Sequence, residues 1–324
     1  MPLRRPRRRL AALLIAGLLL AGCTSQKAGP APVDGPGRLE DSTGPVPVPA
    51  MVAEIPADPP TVTLEPGQVQ QGDFAVLRVD QPLPGEPALY VEGLSEQPRL
   101  FLLDRQPTAF IGFPANARPG RYPVRLTWDG GQWEGSLEVV YKEFTVDRLE
   151  VTEEQEQVYY DPRQAEEWER LYRLRSTSRP EPLWRDVFRP PLEGDLVVTT
   201  YFGEIRIVNG VETGRHSGMD FAAPTGTPIL APARGKVILA EEFIVSGRTI
   251  VIDHGLNLFT AYYHCEELLV KAGDWVEAGQ TIGLVGSTGF STGPHLHWTA
   301  TVGNTPVDPW PLTQGRVAGL FTTP

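Results

Sequence analysis

Ser291-Thr292-Gly293-Pro294-His295-Leu296-His297-Trp298-Thr299-Ala300 places two of the chain's five histidines one residue apart, directly after a Gly-Pro turn signal. On a strand, residues i and i+2 share a face, so His295 and His297 project from one side while Leu296 points into the core on the other. Short strands of the same kind surround this stretch: "GKVILA" (235–240), "TIVI" (249–252), "LFTAYY" (258–263) and "QTIGLVG" (280–286) are rich in β-branched residues and are joined by tight turns. The expected fold class is mainly β.

The two histidines need a reason to stand together. Protonated imidazoles side by side repel, and neutral ones pack less well than aliphatic side chains. A metal ion resolves the conflict, since neutral imidazole is a common zinc ligand and a second histidine can relay protons from bound water. Upstream, "GRHSGMDFAAP" (214–224) sets His216 and Asp220 four residues apart with Gly218 between them. The glycines and the strand-like Asp220-Phe221-Ala222-Ala223-Pro224 predict a loop entering a strand, in which both side chains meet one ion. His216, Asp220 and one of His295 or His297 would give three protein ligands and leave a fourth position for water, as in a catalytic zinc site.

The remaining chain bounds what such a site serves. Its 324 residues allow about two domains, and its 33 glycines and 33 prolines suit turn-rich β structure. The net charge is −11, and Arg4, Arg5, Arg7, Arg8 and Arg9 precede the apolar run Leu10 to Leu20, the order of a secretory signal. Nucleic acid is therefore not an expected partner. The run is too short for a membrane span and ends in Leu20-Ala21-Gly22-Cys23, which resembles the bacterial lipobox. Residues 1–22 read as a lipoprotein signal peptide and Cys23 as the lipidation site. The expected location is extracytoplasmic, anchored to the periplasmic face of the outer membrane or the outer face of the cytoplasmic membrane. The only other cysteine, Cys265, then has no disulfide partner within the chain and reads as a small apolar core residue despite its neighbour His264.

Residues 23–60, rich in Pro, Gly, Ser and Ala, read as a flexible tether. Residues 61–150 read as an immunoglobulin-like β-sandwich serving as a spacer or positioning domain: turn signals at Glu65-Pro66-Gly67, Leu83-Pro84-Gly85 and Arg118-Pro119-Gly120 separate alternating runs such as Tyr122, Val124, Leu126 and Trp128. Ala75, Leu77 and Val79 repeat the alternation, as do Leu137, Val139 and Tyr141. Residues 151–190 read as a helical connector, with Trp168, Leu171, Tyr172 and Arg175 at helical spacing over Gln164 to Arg175. All five histidines fall in 191–324.

"HSGMD", "YYH" and "STGPHLHW", with "GTPILAPARGKVILA", "TIVIDHG" and "VKAGDWVEAGQTIGLVG" between them, closely resemble the M23 metallopeptidases, the lysostaphin-like and LytM-like peptidoglycan endopeptidases. The likeness covers about Leu196 to Pro309. It implies an all-β, barrel-sandwich catalytic domain at 191–324 with one Zn2+, held by His216, Asp220 and His297, and with His264 and His295 as the catalytic histidines. It also implies peptidoglycan as substrate, through hydrolysis of peptide cross-links or stem peptides. Asn209, Tyr262, Ser291 and Thr292 are candidate groove contacts, with packing the competing role for Tyr262, and His254 falls outside the ligand set. The start of the domain departs from the pattern, carrying Glu204-Ile205-Arg206 where relatives often have a basic pair after the Phe-Gly.

Two other functions compete. Biotinyl and lipoyl carriers share hairpins like "KAGDWVEAGQTIG" (271–283), but no lysine stands in their modified tripeptide context here. Some relatives lack metal ligands and act as non-catalytic, peptidoglycan-binding activators of other cell-wall hydrolases. This chain keeps all five functional positions, which favours the enzyme.

Overall fold

The structure is a computed structural model that describes residues 58–103 and 105–317. The signal segment, Cys23 and nearly all of the tether lie outside the described residues. Among the described residues, no helix is long and apolar enough to cross a membrane.

Two four-stranded sheets stack over residues 62–140. One runs in the order Val62–Glu65, Phe74–Val79, Gln106–Gly112, Phe101–Leu103, and the other Gln68–Gln70, Gly131–Val140, Gly120–Trp128, Ala88–Val91. The strand Gly120–Trp128 buries Tyr122, Val124 and Leu126 and exposes Arg121, Pro123 and Arg125, because a strand with one wet face must alternate. Phe74–Val79 does not alternate. Ala75, Leu77 and Val79 enter the sandwich core, while Phe74 and Val76 enter a second core with Trp184, Phe188, Leu256, Leu258 and Val302. The sandwich is therefore packed against the C-terminal half, and Trp184 and Phe188 of the connector enter the same core. Tyr141, expected on the buried face, is exposed just past its strand.

The helix Gln164–Arg175 has the expected bounds. It buries Leu171 and Arg175 and half-buries Trp168, but Tyr172 is exposed because the stripe facing the protein is narrower than the spacing allowed. The segment Val146–Leu149, read as part of the sandwich, instead pairs in parallel with Ile205–Val208.

The C-terminal half is built on an eight-stranded sheet among the described residues. Its order is Val197–Thr200, Met219–Ala222, His295–Val302, Leu258–Cys265, Gly247–Asp253, Gly235–Phe243, Trp275–Val276, with Thr305–Val307 on the edge of His295–Val302. Its neighbours along this path are antiparallel. A three-stranded sheet, Pro228–Leu230, Thr281–Leu284 and Glu267–Leu268, contributes Ile229 and Ile282 to a core with Phe221, Ile250, Tyr262, Leu296 and Trp298.

His254 and Cys265 serve this packing. Burial pushes the Cys265 thiol up to about 12, and its sulfur lies in the core. His254 donates from Nδ1 to the Arg234 carbonyl at 3.0 Å, and its Nε2 lies 2.8 Å from the Thr260 hydroxyl. Burial lowers its pKa from 6.5 to about 4. The unfolded chain thus binds this proton near pH 6.5 and the folded chain only near 4. Stability is complete above 6.5 and falls as pH drops through that window, by up to about 3 kcal/mol. Urea unfolding between pH 7.5 and 4.5 should show this loss in the wild type and a shallower slope in His254→Gln; equal slopes would assign the loss to other groups.

Candidate metal and catalytic site

Antiparallel pairing brings the sequence motifs together. Met219–Ala222 lies beside His295–Val302 with Asp220 opposite His297, and Leu258–Cys265 lies on the other side with Tyr263 opposite His297. The loop before Met219 carries His216. Gly218 permits this approach, since a Cβ there would lie 2.4 Å from the Trp298 carbonyl and 2.8 Å from His297 Nε2.

Three ligand atoms converge. His216 Nε2 is 2.9 Å from His297 Nδ1 and 3.0 Å from Asp220 Oδ1, and the last two are 2.9 Å apart. The far ring nitrogens are engaged: His216 Nδ1 donates to the Tyr201 carbonyl at 3.0 Å, and His297 Nε2 to the Thr299 hydroxyl at 2.8 Å. The Tyr201 carbonyl selects the His216 tautomer with its lone pair on Nε2, and the Thr299 hydroxyl is able to accept from His297 Nε2, so the three ligand atoms can turn lone pairs toward one point, an arrangement suited to a cation. Tetrahedral zinc with ligands at about 2.0–2.1 Å would set its donors roughly 3.3 Å apart, close to this triangle. The residues fit a metal ion, and the trio is buried.

Electrostatics agree. Burial opposes ionisation of Asp220, but the charges and hydrogen bonds of His297 and His216 outweigh it and hold the carboxyl well below its ordinary range. Burial holds the His297 imidazole down to about 4, which keeps it neutral and able to ligate.

His264 and His295 stand beside the trio, their rings 4.8 Å apart. His264 donates from Nδ1 to the Thr288 carbonyl and His295 from Nδ1 to the Gly293 carbonyl, both at 2.8 Å, which leaves Nε2 as the ring nitrogen turned away from the backbone in each. His295 Nε2 is 3.9 Å from Asp220 Oδ1. Burial, reinforced by His295 and His297, pushes the His264 pKa down to about 3.

His264 reaches the site through a break in strand alternation. Arg248 and Ile250 pair with Cys265 and Tyr262, so one strand has an additional residue in this interval, and His264 has φ 60°. This bulge turns His264 toward the site, where simple alternation would have grouped it with Tyr262. Tyr262 is accordingly not a groove residue. It is fully buried in the core with its hydroxyl 2.9 Å from that of Thr260, and it is Tyr263 whose ring stacks 5.1 Å from His297.

Asn209 is not a groove residue either. With Gly210 it forms the two-residue turn between Ile205–Val208 and Val211–Arg215, both at positive φ. Its side chain accepts from the Val151 N–H at 2.9 Å and donates to the Val151 carbonyl at 3.3 Å, holding the connector. Ser291 and Thr292 do line the cavity beside His295, and the Ser291 hydroxyl donates to the Gly293 carbonyl at 2.8 Å.

Sequence reasoning missed other members. Thr299 had a signal, lying two residues beyond His297 on the same strand face. The connector had none. Leu149 lines the cavity on the His295 side, about 250 Å3, and Tyr159 lines one on the His216 side, about 210 Å3. The short helix Glu153–Tyr159 is fixed there by the Gln155 side chain donating to the Ser291 carbonyl at 3.1 Å and by Tyr159 packing 4.8 Å from the Phe290 ring.

Residues 214–309, which hold the whole trio and both further histidines, match the model of peptidase family M23. The chain carries an M23 peptidase domain. Over 99 residues it is 46% identical to the peptidoglycan DD-endopeptidase ShyB of Vibrio cholerae, covering 30% of this chain and 23% of that protein. Over 93 residues it is 44% identical to the peptidoglycan DD-endopeptidase ShyA of the same organism, covering 29% and 22%. The chain thus spans less than a quarter of the length of these relatives. The crystal structure of a protein of Pseudomonas aeruginosa described as an M23 peptidase is 28% identical, with a TM-score of 0.51 over 72% of this chain and 96% of that one. That likeness extends well beyond the M23 domain.

Proposed function

We propose that the chain is a zinc-dependent endopeptidase that hydrolyses peptide cross-links or stem peptides of peptidoglycan. The observation that carries this reading is the donor triangle of His216, Asp220 and His297 with two further histidines, each held by its Nδ1 to a backbone carbonyl, beside it. The V. cholerae relatives' activity on peptidoglycan points to the same substrate.

His216 Nε2, Asp220 Oδ1 and His297 Nδ1 would hold the ion, which when bound supplies a Lewis acid for the scissile carbonyl and acidifies water. The Tyr201 carbonyl fixes the His216 tautomer, and the Thr299 hydroxyl orients the His297 ring. His295 Nε2, on the more open side, accepts a proton from the attacking water as its oxygen bonds to the carbonyl carbon. The same proton passes to the leaving amine as the C–N bond breaks. His264, kept neutral and oriented by the Thr288 carbonyl, presents a second ring nitrogen beside His295. Secretion and a lipid anchor at Cys23 would deliver this chemistry to the cell wall from a membrane surface.

The test is incubation of the purified chain with peptidoglycan, with and without a zinc chelator, and mass spectrometry of the released peptides. Cleavage that stops with chelator and returns with zinc is expected. Binding without cleavage by zinc-loaded protein would favour the non-catalytic activator instead.

A further inference from the structure

Arg206, the basic residue of Glu204-Ile205-Arg206, lies at the junction of the two cavities. It lines both, together with His264, Phe290 and His297. Its Nε and Nη2 are 3.0 and 2.9 Å from Asp147 Oδ2 on the strand Val146–Leu149, and Nη2 is 3.7 Å from Asp220 Oδ2. Nη1 has no hydrogen-bond partner among the described residues. The side chain is 18% exposed, so that edge faces the cavities. A guanidinium offers five N–H donors in a planar fork suited to carboxylates.

The charges around it sharpen the point. Asp220 is the sole carboxylate lining the His295-side cavity, and none lines the His216-side cavity. Metal binding would neutralise Asp220. Arg215, also on the His216 side, directs its guanidinium to the Gly203 carbonyl and over the Phe144 ring. Arg206 is left as the cation that a bound peptide meets, in a chain of net charge −11.

We propose that Arg206 reads a free carboxylate on the substrate residue flanking the cleaved amide, so that the site selects peptides bearing that carboxylate over those in which it is masked. The proposal rests on the peptidase reading for its substrate. A charge-assisted contact to Nη1 in a partly desolvated cavity corresponds to roughly 10-fold to 100-fold in affinity. Both an α-carboxylate and a side-chain carboxylate offer this chemistry.

The experiment measures binding apart from turnover. The probes are cross-linked peptide dimers released from bacterial wall, as the free acid, amidated at the α-carboxylate, or amidated at the side-chain carboxylate. They are titrated calorimetrically into the whole chain, zinc-loaded and carrying His295→Ala to stop cleavage. The free acid should bind at least 10-fold tighter than one amidated form, and that form names the carboxylate read. Adding Arg206→Gln should bring the three affinities within about twofold, at unchanged zinc content. Equal binding of all three probes before that substitution, or a preference that survives it, overturns the proposal. The binding comparison on the Arg206 protein stands if the variant fails to fold. Selective binding alongside no cleavage of any dimer by the unsubstituted chain would leave Arg206 as the carboxylate reader and remove the peptidase reading alone.

Discussion

His297→Ala should release the metal and abolish peptide hydrolysis, while His295→Ala should keep the metal and lose 10²–10⁴-fold in activity. The two residues sit on one strand face and differ in where their free nitrogens lie. His297 Nδ1 is within 2.9 Å of both other ligand atoms, whereas His295 Nε2 is 3.9 Å from Asp220 Oδ1. Removing His297 leaves a two-ligand site and an open space beside Asp220. Removing His295 leaves the triangle intact and takes away the proton acceptor. Metal content by mass spectrometry and peptide release from peptidoglycan separate the outcomes, and equal metal loss in both variants would sink the division of roles.

Gly218→Ala should disable the same site without touching a ligand. Its Cβ would fall 2.4 Å from the Trp298 carbonyl, 2.7 Å from the Thr299 hydroxyl and 2.8 Å from His297 Nε2, inside contact distance of three groups that have little freedom to move. Trp298 is fully buried and the Thr299 hydroxyl orients the His297 ring. Relief must separate Met219–Ala222 from its neighbouring strand or rotate His297. Overpacking of this kind costs about 2–3 kcal/mol in stability, and loss of a contact that orients a ligand costs about 10–100-fold in metal affinity. Thermal unfolding and zinc titration would both register the change. A variant of wild-type stability and zinc affinity would mean that the loop takes up the methyl elsewhere.

How far these residues could be found from sequence followed from how local their geometry is. The turn before His295, the loop character around Gly218 and the alternation of the sandwich strands depend on neighbours in the chain, and all were legible there. So was the helix Gln164–Arg175. The side of Leu258–Cys265 from which His264 projects was not, because a bulge is a property of two paired strands and leaves no mark on one of them. Alternation therefore assigned Tyr262 where the structure has Tyr263. Asn209 misled for a different reason: an Asn-Gly pair between two short strands is first a turn, and its side chain was already committed to Val151. The contribution of Leu149, Gln155 and Tyr159 depended on a connector folding back over a site more than 50 residues downstream, which no local pattern encodes.

The core shared by the two halves separates the unit of descent from the unit of folding. The family match begins at residue 214, yet Leu256, Leu258 and Val302 inside it are shielded from water partly by Phe74, Val76 and Phe110 far upstream. Cut out alone, the matched residues would present that face to solvent as a contiguous apolar patch, the kind of surface that drives aggregation. Each of those side chains also loses roughly 1.5–3 kcal/mol on exposure. A recombination event that moved the matched stretch into another protein would carry the five histidines and Asp220 but leave behind part of what covers its apolar face. In this chain the inherited cassette is smaller than the piece that can stand by itself.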